Sequence, residues 1–194
     1  MMKRNLIAAF AACAFAAPAF AQGNNYIDGF FALSELENED GNGFGLKGEF
    51  QVHDKLFLNG EFQSVDYDDN FDVDQLRLGG AMGPGAGSKN EGVFGRIEYV
   101  SLDLGNGSGS DQDGVAGHVG YALPLSSEFR VHGQAGYVLL DDVDGPEFLI
   151  GATYKLAQNV ALFGDYRVSF LEVDGANGAD LDVSDLRLGA RFLF

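Results

Sequence analysis

Only one cysteine, Cys13, occurs in the 194 residues. No internal disulfide and no cysteine-rich metal site can therefore form. Tryptophan is absent, and there are four prolines. Bases are scarce: 12 Lys and Arg stand against 29 Asp and Glu, a formal net charge of −17. That balance argues against nucleic acid as a partner, because phosphate binding needs clustered bases. Beyond the first twenty-odd positions no apolar run reaches the roughly 18 residues of a membrane helix. A helical membrane protein is excluded, whereas a membrane β-barrel is not. What the chain does have is 46% hydrophobic residues, 17 Phe and 28 Gly, too much apolar surface for a disordered acidic chain.

Residues 1–21 read as a secretory signal peptide. Lys3 and Arg4 supply the positive start, 6–17 an apolar run, Pro18 a break, and Ala19-Phe20-Ala21 the small residues of a cleavage site. A lipidation site at Phe10-Ala11-Ala12-Cys13 is the weaker alternative, since Cys13 lies inside the apolar run. Cleavage before Gln22 leaves 22–194 as one domain with 10 bases and 29 acids, net −19.

That domain repeats one pattern, segments of about ten residues alternating apolar with polar or small. This is the period-2 signature of a strand with two unlike faces. The pattern predicts strands at 25–34, 43–52, 56–66, 74–83, 92–102, 114–123, 129–140, 147–156, 160–171 and 183–194. In the last, Leu186, Leu188, Ala190, Phe192 and Phe194 share one face, and Asp185, Arg187, Gly189 and Arg191 the other. The fourth and tenth segments echo each other around Gln75-Leu76-Arg77-Leu78-Gly79 and Asp185-Leu186-Arg187-Leu188-Gly189, and Gly60-Glu61-Phe62 echoes Gly164-Asp165-Tyr166. Either a duplicated hairpin or chance among strands of like composition accounts for this. Turns at 53–55, 124–128 and 157–159 read as short, 84–90 as longer and Gly-rich, and the odd-to-even joins as longer and more polar. Long loops at one end and short turns at the other are typical of outer-membrane barrels.

Charge placement sharpens the picture. The five odd-to-even loops with their flanks hold 21 acids and no base. Lys55 and Lys89 fall in the opposite turns. The other eight bases share the polar face of the strands: Lys47, Arg77, Arg96, Arg130, Lys155, Arg167, Arg187 and Arg191. Asp28, Glu49, Glu61, Glu98 and Asp165 join them there. In a membrane barrel the apolar face meets lipid, where Arg or Lys costs about 2–4 kcal/mol at the midplane, and the charged face lines the lumen. Eight bases and five acids can pair into a network that fills the barrel, or they can border a narrow path with three surplus positive charges that favours anions. Periodicity alone does not say which face is inside, and a soluble lipocalin-like barrel inverts the pattern. The export signal and the loop asymmetry favour the membrane, as do aromatics suited to interface girdles (Phe62, Tyr99, Tyr121, Tyr137, Tyr154, Tyr166).

The final run Leu186-Arg187-Leu188-Gly189-Ala190-Arg191-Phe192-Leu193-Phe194 is similar to the terminal signature that the barrel-assembly machinery reads. Over 22–194 the chain resembles the small Gram-negative outer-membrane β-barrel proteins of the OmpA/OmpX-like barrel-domain group. The resemblance implies an all-β, closed antiparallel transmembrane barrel, here with ten strands rather than the commoner eight, and five acidic extracellular loops. It also implies residence in the outer membrane beside lipid and lipopolysaccharide, with Phe192 and Phe194 as the assembly signal. Members include anchors, adhesins, small pores and a few enzymes. No cell-wall-binding domain is expected after the barrel, because the sequence stops with the last strand.

Three further motifs bear on function. Asn38-Glu39-Asp40-Gly41-Asn42-Gly43 with Glu49 superficially fits a calcium loop, but Asn38 replaces the leading Asp and 44–52 reads as strand. Asp66, Asp68, Asp69 and Asp72, and Asp141, Asp142 and Asp144, are carboxylate clusters suited to weak Ca²⁺ or Mg²⁺ binding, or to a solvated anionic fringe. His53 falls in a turn, and His118 and His132 face the lumen, with no Ser, Cys or paired acid beside them by spacing. No enzyme and no dedicated cofactor is expected. The reading is a structural or surface-interaction barrel, with a small anion-preferring channel as the alternative.

Overall fold

The computed structural model describes residues 24–37, 39–67, 71–87, 90–105, 111–173 and 180–194. The expected signal segment with Cys13, together with Asp68, Asp69, Lys89, Asp174 and the Gly/Ser-rich stretch 106–110, lies outside the described residues.

Ten strands follow one another: β1 (Tyr26–Leu36), β2 (Glu39–His53), β3 (Leu56–Tyr67), β4 (Phe71–Met82), β5 (Gly92–Leu104), β6 (Gln112–Pro124), β7 (Phe129–Leu140), β8 (Val143–Lys155), β9 (Val160–Val173) and β10 (Asp180–Leu193). Each pairs antiparallel with its neighbours, and β1 pairs with β10, so the sheet closes with no free edge. Closure matters in hydrocarbon, where an unpaired backbone group costs several kcal/mol. Antiparallel neighbours joined by short connections are what a chain of alternating segments with turns between them makes most directly.

Side-chain burial settles the orientation. Ile97 is 72% exposed and Ile150 67%, while Arg187 is 1% exposed. Apolar residues point out and ionic ones in, the reverse of a soluble lipocalin-like barrel. An exposed apolar belt of this extent is untenable in water, so the outer surface is a lipid-facing one. Tyr99, Tyr121, Tyr137, Tyr154 and Tyr166 all face outward, as interface girdles require.

The strands are longer than the alternation indicates, and mostly at one end. β2 begins at Glu39 rather than 43, and β8 at Val143 rather than 147. Three odd-to-even connections are correspondingly short, 37–38, 68–70 and 141–142, whereas 105–111 separates β5 from β6 and 174–179 separates β9 from β10. The longest connection is 83–91, on the opposite side. Long loops at one end and short turns at the other therefore do not describe this barrel. Acidic residues make poor hydrophobic alternation, yet their backbone pairs as well as any other, so the ladder runs on through them. From Glu39 onward the stretch resembling a calcium loop is likewise strand, and Glu49 near its end is buried inside the barrel.

The interior is stratified. At the odd-to-even end lie two apolar clusters, one built on Phe30, Val65 and Tyr67, the other on Val100, Val138, Val143 and Leu171. The middle holds the charges. At the opposite end Phe57, Ala81, Phe94 and Ala122 pack around Ala86, so that 83–87 of this connection folds inward.

Candidate functional site

Alternation along the strands delivers the ionic side chains to one mid-lumen belt. Inward-facing Gly positions make room for it. A Cβ at Gly151 would lie 2.6 Å from the His132 ring and 2.8 Å from Asp165, and one at Gly136 would lie 2.4 Å from His118.

The belt is a chain of shared carboxylates. Arg191 donates through Nε and Nη2 to both oxygens of Asp28, each at 2.8 Å. Lys47 Nζ donates to Asp165 at 2.6 Å and lies 3.8 Å from Asp28. Asp165 also accepts from Arg187 Nε at 2.5 Å. Glu61 Oε1 accepts from Arg187 at 2.7 Å and from Arg167 at 2.9 Å. Arg167 reaches Asp185 at 2.8 and 3.0 Å and Gln75 at 2.8 Å. Across the lumen Arg77 grips Glu147 with two bonds of 2.7 and 2.6 Å. Arg96 donates to Glu49 at 2.8 Å and lies 3.5 Å from Glu98. Bidentate charge-assisted pairs of this kind are the strong class of hydrogen bond. Taking such ions out of water costs several kcal/mol each, and only dense pairing offsets it. Two rings add to the setting: Lys47 sits 4.2 Å over Phe163 and Arg191 3.7 Å over Tyr26, in cation–π range.

Twelve residues were expected in this network. Lys47, Glu49, Glu61, Arg77, Arg96, Glu98, Asp165, Arg167, Arg187 and Arg191 come together in the belt. Arg130 and Lys155 point inward nearer the even-to-odd end. Arg130 donates to the carbonyls of Gly85 and Asn90, at 2.9 and 3.3 Å, and so ties down the 83–91 connection. Lys155 lies at the rim beside Glu128 and Ser126.

The belt also takes in two acids that the charge count grouped with the loops and their flanks, although the alternation of the last strand set Asp185 on the polar face. Glu147 is fully buried and Asp185 is 3% exposed. Parity was the available signal. Glu147 is an even number of residues from Lys155, and Asp185 from Arg187 and Arg191, so each shares the inward face with a base. With Asp28, seven buried acids point inward against eight inward bases. The surplus is one positive charge rather than three, and the charge argument for an anion path falls with it.

The lower lumen is also occupied. Gly87 N donates to Glu49 Oε1 at 2.7 Å, and Asn90 Nδ2 donates to the Ala86 carbonyl at 2.8 Å. Gly87 has φ +87°, which favours glycine, and a Cβ there would meet the Phe57 ring at 2.8 Å. The cavity left among the belt residues and Gly85–Gly87 is about 60 Å³.

The lumenal histidines and the acidic clusters, with the serines near them, are arranged as follows. His118 Nε2 lies 3.0 Å from Glu147 Oε1, and Ser169 Oγ donates to Glu147 Oε2 at 2.9 Å. Spacing did not place a serine near His118, but the fold does. The order is not that of a nucleophile and base, because the acid sits between Ser and His and is already held by Arg77. Ser34 bonds Tyr67 and Ser64 bonds Asp74. Asp66 and Asp72 are cross-strand partners in register. Asp142 exchanges two hydrogen bonds with Gln112, at 2.9 and 3.0 Å, and Asp144 accepts from Tyr137 Oη. Among the described residues no three His, Cys, Asp or Glu side chains gather into a metal site.

A closed, lipid-facing strand cylinder with an ionic interior defines the class, a small transmembrane β-barrel. One solved structure at a TM-score of 0.50 agrees on the fold, and two others match below that score. Neisserial surface protein A (NspA) superposes with a TM-score of 0.50 at 14% identity, over 88% of this chain and 97% of that one. The KdgM porin matches at a TM-score of 0.46 and 8% identity over 87% and 99% of the two chains. The translocator domain of the autotransporter NalP from Neisseria meningitidis matches at 0.45 and 12% identity over 100% and 96%. No protein-family model and no curated protein matches the sequence.

Proposed function

We propose that the protein is a non-enzymatic outer-membrane barrel, closed to ions, with a structural or surface-interaction role. The observation that carries this reading is the packed mid-lumen belt. A cavity of about 60 Å³ remains beside it, room for a few water molecules rather than a conducting column. The inward segment 83–87 adds a second obstruction below. On this reading the export signal is removed, and Phe192 and Phe194 present the terminal strand to the barrel-assembly machinery. Phe192 points outward and stacks on Phe194 at 6.0 Å. Outer-membrane lipid and lipopolysaccharide surround the apolar belt. The acidic fringe stands clear of the membrane, where Ca²⁺ or Mg²⁺ associates weakly as counter-ions.

Planar-bilayer recording tests the reading. The expected result is no steady conductance above the bare membrane. A stable, anion-selective conductance would overturn closure and restore the channel alternative.

A further inference from the structure

The outer half of the lumen is not polar. Val65, Phe71 and Val73 on one wall and Val100, Val138 and Leu171 on the other enclose a cavity of about 490 Å³. That is within the ~300–1,000 Å³ of small-molecule sites. Water-filled barrel interiors are polar, whereas an apolar wall gains free energy when an apolar group displaces its water. The floor is the top of the charged belt, and its charges are already engaged. Arg77 holds Glu147, Arg167 holds Asp185, and Gln75 accepts from both arginines. An ion on the ligand finds no opening there. At the mouth the sign of the charge is uniform. Glu39, Asp40, Asp111 and Asp142 stand at this end with Asp144 and Glu172, and no Lys or Arg occurs in the sequence of any of the five odd-to-even connections or their flanks.

We propose that this cup binds a small cationic amphiphile, one hydrocarbon tail ending in an amine or quaternary ammonium. The tail lies against the valine and leucine wall, and the head sits among the rim carboxylates. An anionic head is repelled by the same rim. The proposal requires the cup and its rim only, so it holds whether or not the barrel conducts.

The natural chain has no Trp, so an introduced one reports alone. Leu140→Trp places it on the cup wall, and Val183→Trp does so on another strand should the first not fold. Leu139→Trp, at a position 52% exposed on the outer face, reports the lipid side. In zwitterionic nanodiscs each variant is titrated with terminally brominated dodecyltrimethylammonium and with the corresponding dodecyl sulfate, bromine being a contact quencher. The expected result is saturable quenching inside the cup by the cation, about tenfold tighter than by the sulfate and weakened by salt. Unsaturated quenching that matches Leu139→Trp would mean bilayer partitioning only and would overturn the site. Equal quenching by the sulfate would overturn the cationic head.

Discussion

Glu147 is the residue on which the lumen turns. It is fully buried, receives both terminal nitrogens of Arg77, accepts from Ser169 and lies beside His118. Removing one partner of a buried pair leaves the other uncompensated, at about 3–5 kcal/mol, while replacing both by apolar groups is often neutral. Glu147→Gln is accordingly expected to lower the temperature at which the folded band disappears on unheated gels. The double change Arg77→Met with Glu147→Leu should recover most of that loss. Equal losses in the single and double variants would show that the pair matters by shape alone. The inward positions of Arg77, Arg167 and Arg187 were readable residue by residue, because each lies on the polar parity of a well-alternating strand. Glu147 was not, since it stands at an acidic strand end where the surrounding charges read as loop. The cup was missed for a related reason. At Val138-Leu139-Leu140 and Phe170-Leu171 both faces are apolar, and this loss of alternation was the one sign that the lumen changes character with height.

At the scale of the element, the strands obey two solvents at once. The outer row must stay apolar through the hydrocarbon, whereas the strand ends beyond it are free to carry acids. Leu188 is 55% exposed on the outward face of β10. Leu188→Arg should cost about 2–4 kcal/mol at mid-membrane depth and sharply reduce the amount of folded protein in the membrane fraction. Asp142→Asn, in the β7–β8 turn, should leave that amount nearly unchanged. Comparable levels for both would contradict the assigned faces. The connection between β4 and β5 is the element with a shape of its own. Gly87→Val forces a side chain onto the Phe57 ring in a backbone region that disfavours it. The segment should be displaced from the lumen, with folded protein retained and bilayer conductance raised above that of the native barrel. Unchanged conductance would mean that the charged belt alone seals the barrel. The fourth-and-tenth echo has a structural counterpart here, for Glu61 faces Arg77 across β3 and β4 just as Asp165 faces Arg187 across β9 and β10. The bonds differ nonetheless, because Glu61 turns to Arg167 and Arg187 instead.

For the whole molecule, closure and the internal network act together. Every strand is paired on both sides, so unfolding must open a ladder and expose buried ion pairs in one step. The protein is expected to run faster on detergent gels unheated than boiled, with a sharp change between the two forms on heating. A gradual shift would indicate strands that fray independently rather than a closed cylinder. Such cooperativity belongs to no single hairpin, because isolated two-stranded units are marginal in water.

By itself the sequence determined the number of strands, their antiparallel order, the two faces and most of the ionic belt, since all of these follow from period-2 alternation and the spacing of turns, which are local properties. Four things were left to the tertiary structure. These were which face lies inside, that Glu147 joins the belt, that residues 83–87 fold into the lumen, and that the outer half of the barrel is an apolar cup. Each depends on which residues meet across the cylinder, between strands as far apart in the chain as Lys47 and Asp165; a local pattern carries parity and lost alternation, but not the partners that meet.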